Sequence, residues 1–242
     1  MRVLQLWRYP VKSLQGEQLS VTDVGERGLV GDRAWGLLDR ATGLTLTARR
    51  VPELLFAHGM LQRDGAALVR LPDGTETADD EELSRWLGRD VALTAATPDT
   101  AGTYEIALDA EHEEDSPWVQ WSGPTGSFHD STRTQVSILG EGTVGHWPVR
   151  RFRANVIVGG SAEDGFVGRR LRGVDDLTLE VVKQIDRCVV VTRAQSDGIE
   201  RDLDVLRSIN RDRATFLGVG ALVRRVGRLA VGDDLRDEED ST

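Results

Sequence analysis

Cysteine is almost absent from this 242-residue chain, where Cys188 stands alone. One thiol forms no internal disulfide. Nor does it build a zinc or iron–sulfur centre, each of which takes several sulfur or imidazole ligands. Lysine is nearly as scarce: of 30 basic residues only Lys12 and Lys183 are lysines. A compact, flexible ammonium is not interchangeable with a planar guanidinium, so each invites a question. Long hydrophobic runs are also missing, and none approaches the ~20 residues that span a bilayer. The start, Met1-Arg2-Val3-Leu4-Gln5-Leu6-Trp7, lacks the apolar core and small-residue cleavage site of a secretion signal. The expectation is a cytoplasmic protein with no membrane partner, and the lone cysteine agrees with it. No Gly-x-Gly-x-x-Gly fingerprint lies between a strand and a helix. Gly218 and Gly220 come closest, inside an apolar run where glycine more often marks a bulge or tight bend.

What is present is ordinary for a folded protein. Hydrophobic residues make up 39% and charged residues 29%, which excludes a disordered chain. The net charge is −10, and the stretch Asp233-Asp234-Leu235-Arg236-Asp237-Glu238-Glu239-Asp240 supplies half of it. An acidic end reads as a solvated tail, and the overall sign argues against nucleic acid as a partner.

The chain reads as many short strands between Gly, Asp and Pro, expected over 3–9, 18–24, 34–38, 54–61, 67–71, 91–94, 135–139, 154–158, 177–182, 187–192, 216–223 and 228–231. Regular short strands suggest barrels or sandwiches. Two segments carry helical spacing: 79–87, with Leu83, Trp86 and Leu87 on one face and Gly88 as a stop, and 203–210. The stretch 95–127, with Pro98, Gly102, Pro117, Gly123, Pro124 and Gly126, reads as the least structured part, a linker or an active-site loop. It suggests a division into 1–105 and 106–242.

Cys188 sits in the β-branched run Val181-Val182-Lys183-Gln184-Ile185-Asp186-Arg187-Cys188-Val189-Val190-Val191-Thr192. Three readings are open from the residue alone: a small buried hydrophobe, a nucleophile, or the one protein ligand of a metal whose other ligands come from a cofactor. His58, His112 and His146 are scattered and suggest no metal site of their own.

Four motifs combine along the chain. They are Tyr9-Pro10-Val11-Lys12-Ser13-Leu14; Gly28-Leu29-Val30-Gly31-Asp32-Arg33-Ala34-Trp35, followed by Leu46-Thr47-Ala48-Arg49; Arg151-Phe152-Arg153-Ala154-Asn155, leading to Glu163-Asp164-Gly165-Phe166; and Asp186-Arg187-Cys188, with Leu206-Arg207-Ser208 downstream. In this order and spacing, from about residue 3 to residue 235, they resemble the MOSC family, named for the C-terminal domain of molybdenum-cofactor sulfurase. They resemble most its stand-alone members with an N-terminal β-barrel domain, which include the mitochondrial amidoxime-reducing component.

The resemblance implies a mainly β fold, a β-barrel-type MOSC domain packed with an N-terminal β-barrel-like domain, with few short helices. It also implies a molybdenum cofactor, a pterin whose dithiolene holds the metal and whose tail ends in a phosphate. By that resemblance Cys188 ligates molybdenum, Lys12, Ser13 and Arg33 hold the phosphate, Arg49 has a weaker claim there, and Arg153 and Asn155 contact the pterin. The chemistry is consistent: a soft thiolate suits a metal already bound by sulfur, and an ammonium and a guanidinium fork suit a phosphate. Arg49 equally suits a pair with Asp32 or Asp39. If the segment is a strand, Arg151, Arg153 and Asn155 alternate onto one face. Asp130 matches a segment near the metal and reads either as a proton relay or as a turn-forming residue; His129 is a second, weaker proton donor.

The implied activity is reduction of N-hydroxylated, N–O or S–O compounds, with a small-molecule substrate and electrons from a separate donor protein, since one cysteine cannot hold a 2Fe–2S cluster. A cofactor carrier or storage protein without turnover is the alternative. Pyridoxal phosphate is disfavoured, because a Schiff base would have to fall on Lys12 or Lys183. The chain departs from the family pattern after the cysteine, where Thr192-Arg193-Ala194-Gln195-Ser196-Asp197-Gly198 keeps only an Asp-Gly turn, and in 139–151, where a helix common in relatives looks absent.

Overall fold

The computed structural model describes residues 1–109, 113 and 115–239. Its centre is an eight-stranded sheet running, edge to edge, through Arg236–Asp237, Arg170–Arg172, Thr178–Asp186, Phe216–Arg225, Val136–Gly140, Val156–Val158, Val3–Arg8 and Glu17–Leu19. All neighbours are antiparallel except Val136–Gly140 against Val156–Val158. The central strands are buried on both faces, and alternation divides their side chains. Ile138, Val156 and Val219 join one apolar cluster with Val3, Leu6 and Val181. Their chain neighbours Leu139 and Ile157 join another, with Phe152, Val191, Val205 and Ile209. A period of two places adjacent residues in opposite layers, and the helix Asp204–Arg213 covers the second layer through Val205 and Ile209.

The longest pair, Thr178–Asp186 with Phe216–Arg225, is not regular. Its register shifts three times, once between Gln184 and Asp186. Gly218 lies within it at φ 78, so the glycine does mark the irregularity that its apolar setting implies. The bend carries the chain out of the sheet at Arg187 and Cys188.

The first half adds smaller sheets, Trp35–Asp39 with Val91–Ala95 and His58–Leu61 with Ala67–Arg70 and Glu76–Thr77. They close on a third cluster of Val11, Leu14, Leu37, Leu54, Leu83 and Val91. The helix Asp80–Leu87 supplies Leu83. It starts and stops where its sequence directs: Asp79 accepts from the Glu81 and Glu82 amides, and Gly88 ends it in the left-handed region. A further strand, Val21–Gly25, pairs with Gly28–Leu29 on one side and with Gly227–Ala230 from the far end of the chain on the other. The protein is mainly β, and among the described residues its strand pairings do not close into a barrel.

The structure corrects several expectations. The stretch 95–127 is not a loop; it holds the antiparallel hairpin Ala101–Ala107 with Trp118–Thr125, so the expected division after 105 falls inside a strand. His112 and part of the acidic cluster beside it lie outside the described residues. The run 187–192 is not a strand beyond Asp186; Val189–Thr192 is a 3-10 turn with Cys188 at its N-cap. The first part of 54–61 belongs to a 3-10 turn, Pro52–Phe56. The strand expected from 154 begins at Val156, and Val149–Phe152 is a 3-10 turn ending in Arg153 at φ 54, so Arg151, Arg153 and Asn155 do not share the face of a strand. Between 139 and 151 the only α-helix is Glu141–Val144. The Asp197-Gly198 turn is present: both residues have positive φ, and the amide of Gln195 donates to the carbonyl of Ile199 across it.

Candidate functional site

A cavity of about 470 Å³ opens where the loop after the first strand meets the segments around Arg33, Ala48, Asp130, Arg153 and Cys188. The loop is laced down by its backbone. Asp32 accepts from the Tyr9 amide at 2.7 Å; the Arg33 amide donates to the Tyr9 carbonyl at 2.8 Å, and the Lys12 amide to the Trp35 carbonyl at 2.8 Å. All eight residues singled out in the sequence line this cavity: Lys12, Ser13, Arg33, Arg49, Asp130, Arg153, Asn155 and Cys188. Both lysines of the chain are on its wall. Three lining residues, Ser13, Arg33 and Arg153, hold φ between 49 and 70. Non-glycine residues there cost about 1–3 kcal/mol each and cluster where function requires them.

The lining is strongly basic. Lys12, Arg33, Arg49, Arg151, Arg153, Lys183 and Arg187 face Glu105, Asp130 and Asp186, in a protein whose net charge is −10. Low-dielectric walls concentrate such a field and favour an anionic ligand. Arg33 and Arg153 stack on the ring of Tyr9, at 4.8 and 4.4 Å from its centroid. Burial pushes the Tyr9 phenol up to about 12, so it stays neutral beneath them. Arg153 is tied to the Leu14 carbonyl, and burial, with Arg33 adding to it, lowers its pKa to about 10.

Each expected contact has its own setting. Ser13 Oγ accepts from the Ala48 amide at 2.9 Å, which joins the first motif to the second. Lys12 is buried and its ammonium pairs with Asp130 while lying 4.4 Å from the Tyr104 ring centroid. Burial lowers the Lys12 pKa and the Asp130 carboxylate opposes that shift. Asp130 itself is held below the usual carboxylate range: burial works against its charge, and Lys12, joined by Arg33 and His129, outweighs it. The Asp130 side chain remains 69% exposed because it faces the open cavity, with protein closing around the rest of it. Burial pushes His129 down to about 4 despite Asp32 at 3.8 Å, so at neutral pH its imidazole carries no spare proton to donate.

Arg49 pairs with neither Asp32 nor Asp39; Glu113 lies 3.1 Å from its Nε and 3.0 Å from Arg193 Nη2. Asn155 is engaged within the fold, accepting from the Ser137 amide and hydroxyl and donating to the Trp7 carbonyl. Arg151 donates to the carbonyls of Val191, Arg193 and Glu200 and so supports the turn after Cys188. Sequence reasoning passed over Arg187 as a site residue, although it lies in the cysteine motif. Its Nε and Nη1 donate to the Leu217 and Phe152 carbonyls, and its buried Nη2 has no partner. Tyr9 opens the first motif without being singled out, and Glu113 and Trp121 carried no signal that a single sequence could expose. Cys188 is half-buried on the cavity wall. Among the described residues no three His, Cys, Asp or Glu side chains converge as metal ligands.

Residues 1–115 match the MOSC N-terminal beta barrel domain, and residues 129–236 match the MOSC domain. The chain belongs to the MOSC-domain family. MOSC domains are associated with molybdenum-cofactor sulfurases and oxidoreductase-type proteins, and the family is linked to molybdenum-cofactor binding. Among solved structures, this MOSC chain is similar to the YuaD protein from Bacillus subtilis, at 13% identity over 96% of this chain and 92% of that one, with a TM-score of 0.44. It is also similar to a hypothetical protein at 11% identity over 57% and 67% of the two chains, TM-score 0.36. No curated protein matches it. Among the described residues no helix is long and apolar enough to cross a membrane.

Proposed function

We propose that this MOSC protein binds a molybdenum cofactor and uses it to reduce N-hydroxylated compounds, or related N–O and S–O compounds, with electrons delivered by a separate donor. The observation that carries this reading is the focusing of basic side chains on one cavity whose wall bears the sole thiol of an acidic chain. The donor set fits the group. A single soft sulfur suits a metal already held by a dithiolene, and the unpartnered Arg187 Nη2 beside it is a buried donor awaiting an acceptor.

In this reading Cys188 is the protein ligand, Lys12, Ser13 and Arg33 take the phosphate end, and Arg49 and Arg153 flank it. When bound, the cofactor supplies two-electron chemistry at molybdenum, with substrate oxygen leaving as water. The chain supplies position, charge and protons. Tyr9 holds two guanidiniums over its ring without neutralising them. His129 is uncharged at neutral pH and its buried Nε2 has no hydrogen-bond partner. Asp130 is ionised while paired with Lys12, so it relays a proton to substrate by first taking one from solvent at the oxygen that Lys12 does not hold. Asn155, fully engaged with Ser137 and Trp7, acts as scaffold for the strand beneath.

Protein purified from a host that makes the cofactor should contain molybdenum near one equivalent. It should reduce an amidoxime or hydroxylamine with a chemically reduced dye and fail with NADH alone. Cys188→Ser should keep the fold and lose turnover, because a hydroxyl is a harder and far less acidic ligand. A Cys188→Ser protein with full activity and bound metal overturns the assignment. Full molybdenum loading without turnover from any donor makes the protein a cofactor carrier instead.

A further inference from the structure

Four carboxylates hold cations of the cavity. Asp32 holds Arg33, Glu113 bridges Arg49 and Arg193, Asp130 holds Lys12, and Asp186 holds the more exposed Lys183. They differ in access. The side chains of Asp32 and Glu113 are 0% and 11% exposed, whereas that of Asp130 is 69% exposed. Asp130 is also lightly restrained. Among the described residues, Lys12 is the one recorded hydrogen-bond partner of its carboxylate. Its backbone, by contrast, is fixed: the Trp121 indole N–H donates to its carbonyl at 3.3 Å, and Trp121 packs on Tyr104 at 5.1 Å. The side chain can therefore turn while its anchor stays.

Lys12 presents the opposite case. Its ammonium is buried beside the Tyr104 ring and needs a counter-charge wherever one can be found. An anion that enters the cavity to meet Lys12 finds that place taken by a carboxylate, and two negative groups on one buried ammonium repel each other.

We propose that Asp130 is a displaceable stand-in for an oxyanion: a phosphate-type group takes its place on Lys12, and the freed carboxyl takes up a proton from solvent. Anion binding and proton uptake are thereby coupled. The natural ligand, a cofactor phosphate, rests on the function proposed above; the exchange itself is a property of the pair and can be read with a simple anion.

The sign follows from the groups that face Asp130, which are Lys12, Arg33, His129, Arg153 and Tyr104. In the pair, Lys12 is the largest of the influences that offset burial and keep the carboxyl ionised. Once Lys12 turns to the incoming anion, the main counter-charge of Asp130 is spent and a second negative charge sits nearby. The carboxyl then binds a proton more readily, so anion affinity rises as pH falls. His129 stays neutral until about pH 4 and does not supply this proton uptake above it.

The test is calorimetric titration of the purified full chain with sulfate, against chloride at matched ionic strength. Sulfate stays a dianion across the range used, about pH 5.5 to about pH 7.5, where the unperturbed carboxylates are ionised. Buffers of different ionisation enthalpy report protons taken up on binding. Wild type should bind more tightly at the lower pH, with net proton uptake. Asp130→Asn should bind roughly tenfold more tightly at the higher pH, the scale of one hydrogen bond to a charged group, and with little proton uptake. Lys12→Met should lose binding in both backgrounds.

An Asp130→Asn protein that binds no more tightly, or that takes up as many protons as wild type, overturns the coupling. If that variant does not fold, wild-type binding without proton uptake overturns it by itself. The two readings fail separately. Absence of pterin and molybdenum from protein made in a competent host sinks the cofactor assignment and leaves the sulfate result standing. Pterin present, with sulfate binding indifferent to Asp130, sinks the stand-in alone.

Discussion

At the residue scale, the wall of the cavity is made of groups held in one protonation state by burial, and His129 shows what that costs. Its folded pKa is about 4 against an ordinary 6.5. Above about pH 6.5 neither the folded nor the unfolded chain protonates it, so it contributes no pH dependence there. Between about 6.5 and 4 the unfolded chain takes the proton and the folded one does not. Stability is therefore lost as pH falls through that window, by up to roughly 3 kcal/mol for one proton over this interval. His129→Gln should flatten the acid limb of stability against pH in urea titrations, while carboxylates such as Asp237 and Asp197, whose pKa values are depressed, still soften both proteins at lower pH. A variant with the wild-type slope between pH 6.5 and 4 would refute the assignment. At this scale much was legible. Lys12, Ser13, Arg33 and Cys188 could be picked out by motif and by scarcity, and the fold brings them to one cavity. Their partners could not, because which carboxylate meets which cation is decided by contacts between segments far apart in sequence, as in Lys12 with Asp130 and Arg49 with Glu113.

At the scale of elements, Asp80–Leu87 was readable because its cap, apolar face and glycine stop agree. The hairpin Ala101–Ala107 with Trp118–Thr125 was hidden because its strands carry glycine and proline, the residues that signal loops. Packing explains their presence. Tyr104 lies across its own hairpin, and a Cβ at Gly123 would sit 2.8 Å from the Tyr104 ring and 2.6 Å from the His129 carbonyl. Pro124 costs no ladder bond to a further strand, since Trp118–Thr125 pairs on one side only. Gly123→Ala should therefore move Tyr104 or open the hairpin, at about 1–3 kcal/mol, the range for overpacking a tight site. Ser122→Ala, at an exposed neighbour, should leave the urea midpoint unchanged. Equal midpoints for the two variants would show that the contact carries no strain. Since Tyr104 underlies the Lys12 ammonium, Gly123→Ala should weaken anion binding as well. The 3-10 turn at Val189–Thr192 was hidden for a different reason. Three consecutive valines favour a strand, and only the break in register before Arg187 and the clamp of Arg151 on the turn's carbonyls override that preference.

At the scale of the whole molecule, the two matched regions are not two separable bodies. Val3–Arg8 is an interior strand of a sheet built mostly from the second half, and Gly227–Ala230 pairs with Val21–Gly25 from the first. Removing either half leaves an interior strand with one edge unpaired and one apolar cluster open. Residues 1–109 expressed alone should be insoluble or unfolded, and the full chain should unfold in a single transition by circular dichroism and by fluorescence alike. Two resolved transitions, or a soluble first half with protected amides, would show the interlock to be energetically slight. A mainly β chain was readable from its many short apolar runs. That the ends of the chain would be woven into each other's sheets was not, because strand pairing over such separations leaves no local pattern.

The placement of the two lysines has a practical consequence for chemistry applied from outside. A reagent that acylates primary amines meets, on this molecule, the N-terminal amine, the half-buried Lys183 and the deeply buried Lys12, and the last two stand on the wall of one cavity. The guanidiniums that cover the rest of the surface do not react. Apart from the N-terminal amine, acylation therefore writes a footprint of the cavity: modification at Lys183 should slow when a ligand fills the space, and any at Lys12 should appear only when its carboxylate partner has let go.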